Sequence, residues 1–207
     1  MATVAEQNQP KTLTDRLRVH LKGILDPIGA FLNRLGITPN AMTISGLVGT
    51  TIGAFFLMQG KMTLGGLILM AMGPIDALDG TMARLRGEPS SFGAFVDSVT
   101  DRYSELVIYL GLLIYYLRVD DWQTAAVVYL AAAGSVLVSY VRARAETLGY
   151  EAKVGILTRL ERYAVLAPSL LFNIPKIGLW IVALLANFTA LQRIVHVRRQ
   201  AHDQMQK

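Results

Sequence analysis

Asp76-Ala-Leu-Asp79-Gly80-Thr-Met-Ala83-Arg84, then eight residues, then Gly93-Ala-Phe-Val-Asp97-Ser-Val-Thr-Asp101: the stretch sets four carboxylates three or four residues apart within each half, with two glycines and an arginine among them. It lies in the most apolar part of a chain that is 53% hydrophobic with a mean hydropathy of +0.40. One charged residue at the centre of a bilayer costs roughly 2.5–3.5 kcal/mol, so four would cost about 10 kcal/mol or more uncompensated. A pair of divalent metal ions is the simplest compensation. Residues three and four apart share a helix face, so Asp76, Asp79, Gly80, Ala83 and Arg84 form one stripe, and Gly93, Asp97 and Asp101 another. A turn at Gly87–Pro89 would make the two helices antiparallel neighbours with these stripes facing. Oxygen-only ligands suit Mg²⁺ or Mn²⁺, and two such ions close together serve displacement at phosphorus. Salt bridges alone explain the cluster poorly, because four acids face only Arg84 and Arg102 and a buried unpaired charge is costly.

Working outward, six stretches are long and apolar enough to cross a bilayer: about 40–59, 62–83, 93–117, 123–147, 156–174 and 177–197. Their separators carry turn and polar residues, among them Gly60-Lys61, Asp120-Asp121 and Pro175-Lys176. With both termini on one side, all but three of the 20 Lys and Arg residues fall on that side, and Lys61, Arg118 and Lys176 fall on the other. The positive-inside rule makes the basic side cytoplasmic. The four aspartates then stand at the cytoplasmic ends of the second and third spans. Before the first span, Leu13, Leu17, Leu21, Leu25, Ile28, Leu32 and Leu35 recur every three or four residues, with Arg16, Arg18, Lys22 and Arg34 on other faces. That is the pattern of an amphipathic helix over 12–36, lying in the interface and bent at Pro27. Residues 1–11 read as a loose terminus. The fold class expected is all-α: one domain over 1–207, an integral membrane six-helix bundle with an N-terminal interfacial helix.

With no cysteine, disulfides, thiolate metal sites and cysteine nucleophiles are excluded. The net charge of +5 matches cytoplasmic loops on anionic lipid better than nucleic-acid binding. A membrane prenyltransferase would carry two aspartate-rich motifs far apart. A metal-ion transporter would place its acids near the bilayer midplane. Neither pattern is present.

Asp-x2-Asp-Gly-x2-Ala-Arg-x8-Gly-x3-Asp-x3-Asp resembles the signature of the CDP-alcohol phosphotransferases, membrane enzymes of phospholipid synthesis, at every specified position. The resemblance implies CDP-diacylglycerol as donor, an alcohol as acceptor, two Mg²⁺ ions (Mn²⁺ as the substitute) and CMP as leaving group. It makes Asp76, Asp79, Asp97 and Asp101 the metal ligands and Asp101 the general base. Thr38, Pro39, Asn40, Thr43, Gly80, Ala83, Arg84, Ser90 and Gly93 would line the nucleotide–lipid site. It also implies a homodimer; the run Ala131-Ala-Ala-Gly-Ser135 permits close helix contact, within the bundle or between copies.

Arg142, Arg144, Arg159, Arg162 and Arg193 sit at the depth of the aspartates. Guanidinium binds phosphate in a bidentate way, so these five point to an acceptor that itself carries a phosphate. Ser139-Tyr-x-Arg-Ala-Arg-Ala-Glu146 and Arg159-x-Glu161-Arg162 resemble the branch that uses inositol 1-phosphate. One departure is Thr158, where that branch usually has an acidic residue. Glycerol 3-phosphate, the acceptor of phosphatidylglycerophosphate synthase, is the alternative.

Overall fold

The computed structural model describes residues 13–87 and 90–205, with side-chain surroundings from Gly23 onward except at Asp76. The expected loose terminus, and Glu88 and Pro89 of the expected turn, lie outside the described residues. Those residues form seven α-helices and no strand: α1 (Leu13–Arg34), α2 (Pro39–Met58), α3 (Met62–Arg86), α4 (Ser91–Arg118), α5 (Trp122–Thr147), α6 (Arg159–Leu171) and α7 (Pro175–Met205). The ends obey local chemistry. Thr38 caps α2 by accepting from Ala41 N, with Pro39 at the first helical position. Gly87 closes α3 at φ 68°. Ser90 caps α4 by accepting from Gly93 N.

Each of the six helices after α1 packs on two others: α3 on α2, α2 on α4, α4 on α5, α5 on α7, α7 on α6, and α6 back on α3. The bundle is therefore a closed ring, and α1 packs on the outside of α3. This corrects the expectation that the two aspartate helices pack directly on each other. Among the described residues α3 and α4 share no extensive contact, because α2 lies against both. Small residues allow it. A Cβ on Gly65 of α3 would stand 3.1 Å from Gly53 O of α2, and one on Gly111 of α4 would stand 2.5 Å from Ala54 O. Close backbone approach of this kind drives association where lipid removes the hydrophobic drive between helices. The run Ala131–Ser135 faces inward: Ala131 and Ser135 are buried, and a Cβ on Gly134 would strike Asn187 of α7. It serves bundle packing.

Leu57, Leu112, Tyr116, Leu170 and Leu179 fill the ring near the ends of α2, α4 and α6 and the start of α7. The other end holds the buried charged side chains, Asp79, Asp101, Glu105, Arg162 and Arg193. Four helices (α2, α3, α5 and α7) are long and apolar enough to cross a membrane by length and composition. Of the other two expected spans, α4 has 28 residues but carries Asp97, Asp101, Arg102 and Glu105. The fifth, expected from about 156, shrinks to the 13 residues of α6. Ahead of it, residues 150–158 fold back as irregular chain into the bundle, with Ala152 and Leu157 buried. Leu157 N donates to Thr189 Oγ1 (3.2 Å), and Arg193 donates to Val154 O (2.9 Å) and Val138 O (2.6 Å). Non-helical backbone at this depth needs partners of this kind.

Candidate active site

Asp79, on the last turns of α3, is 5% exposed. Thr43 of α2 donates to its Oδ2 at 2.6 Å, and the Gly80 amide donates to Oδ1. The carboxylate is thus held by α2 and by its own helix. Arg84 donates to Thr81 Oγ1 at 2.9 Å, and its Nη1 would be 3.6 Å from a Cβ on Gly80. The guanidinium therefore lies over the bare glycine face; Ala83 beside it is half-buried. A Cβ on Gly93 would stand 3.0 Å from Ser90 Oγ and 3.7 Å from Asn40 Oδ1. The starts of α2 and α4, two capped N-termini with their free amides, therefore meet at Gly93. Such ends attract phosphate.

On α4, Asp97 is half-buried, and Asp101, one turn on, is 8% exposed. Asp101 pairs with Arg159 of α6 at 2.8 Å and more loosely with Arg102 at 3.4 Å. One turn further along both helices, Glu105 holds Arg162 through Nε (3.1 Å) and Nη2 (2.7 and 3.0 Å), while Arg162 Nη1 reaches Leu157 O at 3.3 Å. α4 and α6 are not neighbours in the ring, so the long arginine arms bridge its interior in two rungs.

The five arginines expected to form an acceptor cluster therefore divide. Arg159 meets a motif aspartate. Arg162, 2% exposed, has its fork filled by Glu105. Arg193, 4% exposed, is committed to two backbone carbonyls of the irregular segment and α5. Arg142 is exposed and pairs with Glu146 at 2.9 Å, and Arg144 is exposed. Glu105, Thr189 and Gly155 were not among the expected site residues. Glu105 carried a signal: an acid four residues after Asp101, on the same face, entering an apolar run. Thr189 and Gly155 carried none, since their roles depend on a loop–helix contact distant in sequence.

The carboxylates are the donor type a divalent cation takes, and among the described residues no three of them stand together as a metal cluster. Asp79 and Asp101 are nearly buried carboxylates at one end of the bundle, Asp97 lies one turn from Asp101 on the same face, and all offer hard oxygen. The Asp76 side chain lies outside the described residues.

Comparison with known proteins agrees with this chemistry. A family profile for CDP-alcohol phosphatidyltransferase matches residues 36–193. The archaetidylinositol phosphate synthase of Pyrococcus horikoshii is 37% identical over 189 residues, covering 91% of this chain and 98% of its own. Two crystal structures of Mycobacterium tuberculosis phosphatidylinositol phosphate synthase (PgsA1) share the fold. One, with CDP-DAG bound, has a TM-score of 0.79 at 30% identity, covering 84% of this chain and 93% of that one. The other, in complex with manganese and citrate, has a TM-score of 0.79 at 29% identity, covering 84% and 88%. The four apolar helices are accordingly those of a multi-pass membrane enzyme, and the chain belongs to the CDP-alcohol phosphatidyltransferase family.

Proposed function

We propose that the protein transfers a phosphatidyl group from CDP-diacylglycerol to inositol 1-phosphate, giving phosphatidylinositol phosphate and CMP. The observation that carries the acceptor is the Asp101–Arg159 pair. It sets a carboxylate able to take a hydroxyl proton beside a guanidinium able to hold a phosphate. An acceptor whose phosphate draws Arg159 away from Asp101 brings its own hydroxyl to the freed carboxylate. The hydroxyl oxygen then bonds to the lipid-linked phosphorus, its proton passes to Asp101, and the phosphorus–oxygen bond to CMP breaks. Choline, ethanolamine and serine carry no phosphate to make that exchange. The inositol phosphate synthases among the relatives support this acceptor over glycerol 3-phosphate.

Asp76, Asp79, Asp97 and Asp101 would hold two Mg²⁺ ions, which supply charge neutralisation at the diphosphate. Thr43 and the Gly80 amide orient Asp79 for this. Thr38, Pro39, Asn40, Ser90, Gly80, Ala83, Arg84 and Gly93 line the donor side, where the glycines leave room for the nucleotide. Arg162 and Arg193 support the acceptor side from behind rather than touching the acceptor, and Arg142 and Arg144 stand at its rim.

In this reading all of α2–α7 cross the membrane. α4 does so because its charges face the ring interior, and α6 because the irregular segment before it completes the depth. Exposed Ile24, Ile28 and Phe31 of α1, with Leu35 just after it, lie in the interface of the cytoplasmic membrane. Both termini and the site face the cytoplasm, and the enzyme works as a homodimer.

The test is CMP release from CDP-diacylglycerol by detergent-purified protein with Mg²⁺, with acceptors offered singly. Release with inositol 1-phosphate alone is the expected result. Release with glycerol 3-phosphate alone would keep the chemistry and overturn the acceptor. Release with free inositol would remove the role given to Arg159.

A further inference from the structure

Arg86 lies two residues past Arg84 and so points away from the nucleotide stripe. Its Nε donates to Asn33 Oδ1 at 2.7 Å and its Nη2 to Ile37 O at 2.6 Å. Asn33 in turn donates through Nδ2 to Met82 O at 3.1 Å, which fixes the orientation of its amide. One guanidinium thus fastens two things to the end of α3: the last turn of α1 and the linker before α2. The surfaces below fit closely, since a Cβ on Gly29 of α1 would meet Thr81 and Leu85 at 3.3 Å. Only residues 35–38 separate α1 from α2. Holding Ile37 therefore sets the place of Thr38, the cap of α2, and of Asn40, which faces Gly93.

We infer that Arg86 and Asn33 form a positioning clasp: they lock the α1–α2 linker onto the end of α3 and so set the donor-side wall against which the CDP-lipid binds. The clasp touches neither the motif aspartates nor the acceptor arginines. Its loss acts on the donor alone. This rests on the assignment of Thr38 and Asn40 to the nucleotide–lipid side.

Two measurements test it on the full-length protein. In steady-state CMP release, Arg86→Ala raises KM for CDP-diacylglycerol about tenfold, equivalent to about 1.4 kcal/mol. KM for the acceptor stays within about twofold. Arg86→Lys recovers little, because one ammonium cannot span both acceptors as the fork does. Asn33→Asp keeps an oxygen for Arg86 but loses the donation to Met82 O, and raises KM for CDP-diacylglycerol less than Arg86→Ala does. The chain has no cysteine, so Leu35→Cys and Ser98→Cys, both at exposed positions, accept spin labels directly. Their distance distribution in nanodiscs broadens when Arg86→Ala is added. A broadened distribution with unchanged KM for CDP-diacylglycerol would overturn the inference, as would parallel rises in both KM values. Wild-type protein that releases no CMP would instead overturn the reaction proposed above, and the clasp would still be judged by the distances.

Discussion

Arg162→Ala is the substitution on which the two-rung arrangement makes its largest claim. Arg162 and Glu105 are 2% and 8% exposed, and three nitrogen–oxygen distances between them lie from 2.7 to 3.1 Å. An exposed ion pair is worth about 0–1 kcal/mol. Removing one partner of a buried pair costs about 3–5 kcal/mol, because the other charge stays behind in low dielectric. Arg162 also donates to Leu157 O, so the truncation frees the last residue but one before α6. A loss near 4 kcal/mol is a large fraction of the 5–15 kcal/mol typical of a folded domain. Equilibrium unfolding in mixed micelles, followed by tryptophan fluorescence, reads it directly. A loss below about 1 kcal/mol would mean that water solvates Glu105, and would refute the buried-pair account.

Arg162→Met with Glu105→Leu separates scaffold from substrate contact. Replacing a whole buried pair by apolar groups of similar volume is close to neutral, so the double variant regains most of the stability. If Arg162 works from behind the site, the acceptor KM of the double variant stays within about threefold of wild type. A tenfold rise in a protein of restored stability would return Arg162 to direct acceptor contact.

Other perturbations follow from single contacts. Gly155 has φ +124°, and a Cβ there would stand 2.3 Å from Thr189 Cγ2; Gly155→Ala costs about 1–3 kcal/mol in strain and exposes residues 150–158 to limited proteolysis. Asp101→Asn lowers kcat by roughly 10²–10⁴-fold, the usual share of a general base, with a circular dichroism spectrum like wild type; a wild-type rate would remove Asp101 from that role. Asp121, outside the spans, is pulled from 3.8 down to about 2 by Lys176, then by the Thr124 amide and hydroxyl. A depressed carboxyl stabilises the fold above its unfolded value and loses that contribution as pH falls. Unfolding between about pH 4 and pH 2 should therefore flatten with pH in Asp121→Asn, while an unchanged slope would show the pair with Lys176 to be idle.

The starts of α2 to α5 were legible to within about two residues because Pro39, Gly60, Ser90 and Asp121 are punctuation whose meaning is local. The motif aspartates were legible for the same reason: spacings of three and four define a face without reference to any partner. What failed to show was everything decided between elements. Facing stripes on α3 and α4 follow from a short connection, yet Gly53, Gly65, Ala54 and Gly111 let α2 come closer to each than they come to one another. The start of α6 reads as apolar chain ready to be helical. Two partners distant in sequence, Thr189 and Arg193, together with Arg162 on the first turn of α6, instead hold residues 154–158 as loop. The arginine count could not assign partners, since a guanidinium at the depth of the site can serve carbonyls, as Arg193 does, or a carboxylate, as Arg162 does, as readily as a phosphate.

The two rungs explain why the ring needs both. Asp101 and Glu105 are four apart on α4, and Arg159 and Arg162 three apart on α6, so each pair lies one helical turn from the other. The Glu105 rung is closed on every side, with its charges matched and its arginine anchored to the Leu157 carbonyl. It therefore sets the separation of two helices that share no extensive backbone contact. The Asp101 rung is the more open of the two, since the Arg159 side chain is 31% exposed against 2% for Arg162. A bridge that could exchange its carboxylate for a substrate phosphate must stand beside one that cannot, or the helices would drift each time it opened. In the proposed reaction the inner pair keeps the gap and the outer pair works in it.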